Sequence, residues 1–257
     1  MKEFDNQVVV ITGGTSGIGK ATAKKFIDEG ATTVLLTVDS NEIIDQALQE
    51  LGKKAYAYTL DVSNEQEVEK VFTQIVERFK KIDVAFNNAG IGPDGKRIPY
   101  QSLVEVETST WDKIMDVDLK GVFLCMKWEL TQMIKQGHGA IVNTSSIGGY
   151  KMAPGFNAYG VAKAGVIALG QMAAIENASK NIRVNTICPG PTQGTQLTNN
   201  SFSANPNEKE MLESHVIPMK KLGLVEEVAD AVLWLCSSKA SHTTGQTLFI
   251  DGGMHIV

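Results

Sequence analysis

Tyr159 and Lys163 stand four residues apart in the stretch NAYGVAKAGV (157–166), where most other side chains are glycine, alanine or valine. Four residues is about one helical turn, so a helix here stacks a phenol and an ammonium on one face. Two readings are open: a core tyrosine beside a lysine that snorkels to water, or a phenol whose proton is made easy to remove. A second stretch, TGGTSGIG (12–19), spaces Gly13, Gly17 and Gly19 as G-x-x-x-G-x-G after an apolar run. Glycine there lets backbone N–H groups and a helix N-terminus approach an anion such as a pyrophosphate.

The elements that must position these groups alternate. VVVIT (8–12), TTVLLTV (32–38), KAYAYTL (54–60), IDVAFN (82–87), GAIVNTS (139–145), IRVNTI (182–187) and TLFID (247–251) read as strands. Helical patterns separate them, beginning near Gly17, after Ser40, near Ser63, at about Thr110, around Tyr159 and at Val225. Ser63 is placed to cap a helix whose Val68, Phe72, Ile75, Val76 and Phe79 share a face. Strands alternating with helices imply a doubly wound parallel sheet of seven strands with helices on both faces, in one domain spanning 1–257. All seven prolines are expected outside these elements. Residues 189–224 form a long polar connection leaving the carboxyl edge of the sheet. They read as a lid over a ligand rather than as a mobile insertion.

The composition narrows the function classes. With 257 residues, 43% of them hydrophobic, the chain can bury one large core. A net charge of −5 and no long basic run argue against a nucleic-acid surface. The polar start leads straight into a strand, with no leader pattern, and no apolar run is expected to span a bilayer. Three widely spaced cysteines suit free thiols in a reducing compartment, and four scattered histidines suggest no metal site. These features together read as cytoplasmic.

The chain resembles a short-chain dehydrogenase/reductase of the common form of about 250 residues, nearly end to end. TGGTSGIG is followed in order by DV (61–62), NNAG (87–90), IVNTSS (141–146), YGVAK (159–163), PG (189–190) and DGG (251–253). The resemblance implies a Rossmann-type fold and hydride transfer between a nicotinamide and a secondary alcohol or its ketone. Tyr159 would be the general acid/base, Lys163 would lower its pKa and bind the nicotinamide ribose, and Ser146 would hold the substrate oxygen. A free phenol titrates at about 10, and a neighbouring cation lowers that value toward the working pH. The resemblance also implies that Gly13, Ser16 and Ile18 line pyrophosphate and ribose, and that Asp61 and Val62 flank the adenine. Asn88, Ala89 and Gly90 would pack beneath the adenosine, and Pro189, Gly190 and Thr192 would border the nicotinamide. It further implies a homotetramer built on the long helices and the C-terminal strand, which would bury DGGMHIV against a neighbour; a frayed tail is the alternative.

Three departures stand out. The acid expected at the end of the second strand is Thr37, with Asp39 two residues on; no basic residue occurs at 14–16 or 37–41, which favours NAD over NADP. The motif DVDLKGVF (116–123) has Asp118 where the family has asparagine, a residue implied in proton relay through Lys163. A carboxylate there would hold Lys163 charged and oppose a phenolate on Tyr159. Gly194 replaces a frequent threonine, between Thr192 and Thr195. An alternative class is a non-catalytic dinucleotide-binding redox sensor. An epimerase or dehydratase fits less well, since such relatives are longer and space their glycines differently. For the substrate, Ile147, Met152 and Asn157 suit a sugar, polyol or compact ketone, and Lys209, Lys220 and Lys221 could meet an anion.

Overall fold

Runs of β-branched and aliphatic residues form strands, and amphipathic runs form the helices between them. The computed structural model describes residues 2–94 and 96–257. Its strands are β1 (Val8–Thr12), β2 (Thr32–Thr37), β3 (Ala55–Thr59), β4 (Val84–Asn87), β5 (Gly139–Thr144), β6 (Ile182–Pro189), β7 (Thr192–Gln193), β8 (Gly223–Leu224) and β9 (Thr247–Ile250). The helices are α1 (Gly17–Asp28), α2 (Asn41–Leu51), α3 (Glu65–Phe79), α4 (Thr108–Met115), α5 (Gly121–Gln136), α6 (Asn157–Asn177), α7 (Gln196–Ala204), α8 (Glu208–Met211) and α9 (Val225–Cys236).

Seven strands make one parallel sheet in the order β3-β2-β1-β4-β5-β6-β9. The period of two sorts each strand between two cores. Val8 and Val10 of β1 join Phe72 and Ile75 of α3, Leu124 of α5 and Val166 of α6. Val9 and Ile11 face the other way, onto Phe26 of α1 and Val228 and Val232 of α9. The strand order reverses between β1 and β4, and ligands bind beyond the carboxyl ends of the strands at such a point.

Several local expectations change. Asn64, not Ser63, caps α3: its Oδ1 accepts from the backbone N–H of Gln66 (3.1 Å) and Glu67 (3.3 Å). Ser63 instead donates to Asp61 Oδ1 at 2.7 Å. Pro189 closes β6 in register with Ile250, so one proline does lie in a strand. At a strand's last residue the missing N–H disturbs little of the ladder. The helix expected from about Thr110 is α4 and α5 joined by a π-helical turn, Asp116–Lys120. The 189–224 segment is folded, carrying α7, α8 and the pair β7–β8. The C-terminal tail is tied: Asp251 Oδ2 accepts from the His255 backbone N–H (2.7 Å) and lies 2.8 Å from His255 Nδ1, and the His255 ring stacks on Phe249. One run among the described residues, Asn157–Lys180, is long and apolar enough to cross a membrane by length and composition, contrary to expectation. Half of it is buried, and it is the core helix carrying Tyr159 and Lys163.

Candidate active site

Four elements converge beyond the carboxyl edge of β1, β4, β5 and β6. The first two turns of α6 present Tyr159 and Lys163, both buried, with the Lys163 ammonium 5.7 Å from the centre of the phenol ring. Ser146 follows β5, its Oγ accepting from the Gly148 N–H at 3.0 Å. The π-helical turn before α5 widens the helix and places Asp118 in the wall; such turns are frequent at functional sites. Asp118 Oδ2 lies 3.3 Å from Lys163 Nζ, and Oδ1 accepts from the Ile91 N–H at 2.7 Å. A side chain at Gly90 would come within 3.1 Å of Lys163 Nζ and 3.4 Å of Asp118 Oδ2, so glycine keeps this approach open.

Burial and charge oppose one another here. Burial pushes the Tyr159 phenol above the usual tyrosine value, Lys163 and Ser146 pull it down, and Asp118 pushes it up again. Lysine acts in the expected direction, but burial and the carboxylate outweigh it. Burial would lower Lys163, yet Asp118 and Tyr159 hold its ammonium above the usual lysine value. Burial raises the Asp118 carboxyl against the pull of Lys163 and the Ile91 N–H. The result is an ammonium clamped by one carboxylate beside the phenol.

Tyr159, Lys163, Ser146 and Asp118 line a cavity of about 940 Å3 that runs to the glycine loop. At that end Gly13 and Gly17 have positive φ of 64° and 50°. A Cβ on Gly19 would sit 2.0 Å from the Gly13 carbonyl oxygen. No acid occupies the first turn of α1, and the Ser16 side chain does not cap it. The N-terminus of α1 is thus left to an anion, so the residues fit a dinucleotide.

A profile of the family described as enoyl-(acyl carrier protein) reductase matches residues 13–255. The chain is 38% identical over 256 residues to the 3-oxoacyl-[acyl-carrier-protein] reductase FabG of Thermotoga maritima, covering 98% of this chain and 99% of that one. The crystal structure of levodione reductase superposes with a TM-score of 0.90 at 35% identity, covering 98% of each chain. That of NAD+-bound xylitol dehydrogenase does so with 0.90 at 31%, covering 98% and 100%. The chain belongs to the short-chain dehydrogenase/reductase family. It is therefore an NAD(P)-dependent oxidoreductase of hydroxyl and keto groups.

Most of the other residues singled out for this short-chain dehydrogenase/reductase line the same cavity: Gly13, Ser16, Ile18, Asn88, Ala89 and Gly90 at the glycine loop, and Pro189, Gly190 and Thr192 after β6. Asn88 also builds the loop, its Nδ2 donating to the carbonyls of Thr12 (3.3 Å) and Gly13 (3.2 Å). Gly194 has φ of 89°, a conformation a threonine rarely takes, and Thr195 beside it caps α7 through the Thr198 N–H at 3.2 Å. Thr37, Asp61 and Val62 are not among the lining residues. Val62 is a core residue, and Asp61 is bonded to Ser63. Thr37 is buried, and its hydroxyl donates to Asp39 Oδ2 at 3.0 Å. Thr15 of the glycine loop donates to the same oxygen at 2.5 Å, which fixes a carboxylate beside the loop.

Ile147 and Met152 line the cavity, whereas the Asn157 amide donates to the Gln101 carbonyl at 2.5 Å instead. Lys209, Lys220 and Lys221 do not reach the cavity; Lys220 donates to the Ser214 carbonyl and Lys221 pairs with Glu227 at 2.8 Å. Sequence reasoning missed Asp94, Arg97, Tyr100 and the tail residues Met254 and Val257. Asp94 is bonded to Arg97 and to Asn200 of the lid, and the other four are in the cavity wall. Their only signal was their position after β4 and β9, at the carboxyl edge.

Proposed function

We propose that this enzyme oxidises a secondary alcohol to a ketone, or the reverse, with NAD as cofactor. The carrying observation is that Ser146, Tyr159 and Lys163 share one wall of the cavity whose far end is the open N-terminus of α1. Gly13, Ser16, Ile18 and Asn88 would hold the dinucleotide, and Thr192 would border the nicotinamide. Bound NAD would supply the hydride acceptor and, in its oxidised state, a positive charge that favours the phenolate. Tyr159 takes the hydroxyl proton as phenolate and returns it in the reductive direction. Ser146 orients the substrate oxygen by hydrogen bonding. Lys163, kept charged by Asp118, favours the phenolate and binds ribose; Asp118 ends the proton path as a positioning residue.

Asp39 supports the choice of NAD. Its carboxylate is fixed by Thr15 and Thr37 beside the glycine loop, and no lysine or arginine at 14–16 or 37–41 could pair with a 2′-phosphate. Exposed apolar residues on α5 (Phe123, Ile134) and α6 (Met172, Ile175) support a homotetramer built on these helices. Three buried free thiols fit a reducing, cytoplasmic setting. The test is a titration of wild type with NADH and NADPH, followed by turnover of Tyr159→Phe. NADH binding more tightly, with the variant binding normally but losing about 10²–10⁴-fold in rate, is the expected result. Equal binding of the two cofactors removes the role of Asp39, and an unimpaired Tyr159→Phe removes the mechanism.

A further inference from the structure

The loop after β4 builds a charged corner that the hydride-transfer chemistry does not use. Asp94 is fully buried, and its carboxylate takes four donors. The backbone N–H groups of Lys96 (3.0 Å) and Arg97 (2.7 Å) bond Oδ1, while Arg97 Nε (2.6 Å) and Asn200 Nδ2 (2.9 Å) bond Oδ2. Burial pushes this carboxyl up, but the donors hold it down at about 2, so it is an anion across the working range. Asn200 lies on α7, so the lid supplies part of the mount.

The mount holds one edge of a guanidinium. Arginine has five N–H donors in a rigid fork, and only Nε is used on Asp94. Nη1 and Nη2 of Arg97 make no hydrogen bond to any described residue. Arg97 lines the cavity that holds Ser146 and Tyr159, and its charge lies close enough to Asp118 to help pull that carboxyl down. A second cation on this wall, Lys151, donates to the Met254 carbonyl, and the His215 side chain lies on the same wall. The lid's acid on this wall, Glu208, accepts from Ser201 Oγ at 2.6 Å.

We propose that Arg97 is the receptor for a carboxylate on the substrate, so that the preferred substrates are hydroxy acids and oxo acids rather than neutral polyols or ketones. This rests on the proposed dehydrogenase chemistry and names its substrate class. The free Nη1/Nη2 edge matches a carboxylate in bidentate geometry. Asp94 fixes the opposite edge before substrate arrives, which reduces the side-chain entropy lost on binding. Because Asn200 of α7 shares the Asp94 carboxylate, lid placement and recognition of the acid are linked.

The experiment compares 3-hydroxybutanoate and gluconate with their primary amides, using the NADH complex for calorimetric binding and NAD for turnover. Wild type is expected to bind and oxidise at least one acid on the order of 10- to 100-fold better than its amide, the range of a charged hydrogen-bonded pair. Arg97→Gln should lower binding and turnover of the acid on the order of 10- to 100-fold more than those of the amide, and Arg97→Lys should retain part of the preference. Equal use of acid and amide by wild type, no saturable binding of either acid, or equal losses on both in Arg97→Gln would each overturn the proposal. The last result would make Arg97 a loop staple only. Binding separates this from the chemistry: an acid preference that persists in Tyr159→Phe supports Arg97 whatever that variant does to the rate.

Discussion

Two carboxylates, Asp118 and Glu129, lie about three turns apart along one nearly continuous helical run, and neither has any exposed surface. Asp118 meets an ammonium at 3.3 Å at the cavity wall. Glu129 lies between α5 and the sheet, where its Oε2 accepts from the Asn87 amide at 3.0 Å and its Oε1 has no partner among the described residues. The same amide also bonds Asn143 Oδ1 at 3.0 Å. Burial raises both carboxyls, but only Glu129 lacks a cation, and it is pushed up to about 8. Glu129 is therefore neutral at pH 7, while Asp118 works as half of an ion pair. Burial sets the cost of a charge; the nearest partner decides whether the charge exists.

The sharpest way to break this contrast is to remove the cation. Lys163→Met should lower kcat/KM by about 10²–10⁴-fold and destabilise the fold by up to about 3–5 kcal/mol, because Asp118 loses its partner and must either stay buried as a charge or take up a proton. Adding Asp118→Asn should restore most of the stability, read by denaturant unfolding, and none of the rate. A single variant as stable as wild type would show that the pair carries no such coupling.

Glu129→Gln should act in the opposite sense. The folded protein keeps this proton up to about pH 8, whereas an unfolded chain releases it near 4.5, so ionisation favours the unfolded state increasingly across that window. The variant should gain about 3 kcal/mol at pH 7 and almost nothing at pH 4.5, at about 1.4 kcal/mol per pH unit. A gain independent of pH would mean that Glu129 is not the titrating group. Smaller still, Asp118→Asn removes one charge opposing the Tyr159 phenolate. The acid limb of alcohol oxidation should then move to lower pH, with a smaller stability change than Lys163→Met, because the amide can still accept from the Ile91 N–H. Superimposable pH–rate profiles would reduce Asp118 to a packing role.

The sheet and the meeting of Tyr159 with Lys163 at one cavity wall were legible because each rests on local pattern: apolar runs for strands, the four-residue step for Tyr159 and Lys163, glycines where φ must be positive. Glu129 was legible in principle, since it falls in step with the buried Val122, Cys125, Met126 and Met133. What hid it is that a lone glutamate in an amphipathic helix usually reads as solvent-facing. Arg97 was not legible. Its mount combines Asp94, three residues away, with Asn200 on a lid about a hundred residues later, and only the folded chain brings them together. The π-helical turn at Asp116–Lys120 was hidden for a related reason: its residues carry ordinary helical propensity, and the widening shows only in hydrogen bonding.

The cavity wall includes Met254 and Val257, with Lys151 bonded to the Met254 carbonyl. Val257 thus lies in the wall of the cavity proposed to take the substrate, while Lys2 bonds the carbonyl of Asp28 at the far end of α1. A peptide fused after Val257 would start at the substrate's doorway and compete with it for space. The same peptide fused ahead of Lys2 would leave from the opposite edge of the sheet. The choice of end for a fusion is therefore a choice between an intact and an altered specificity.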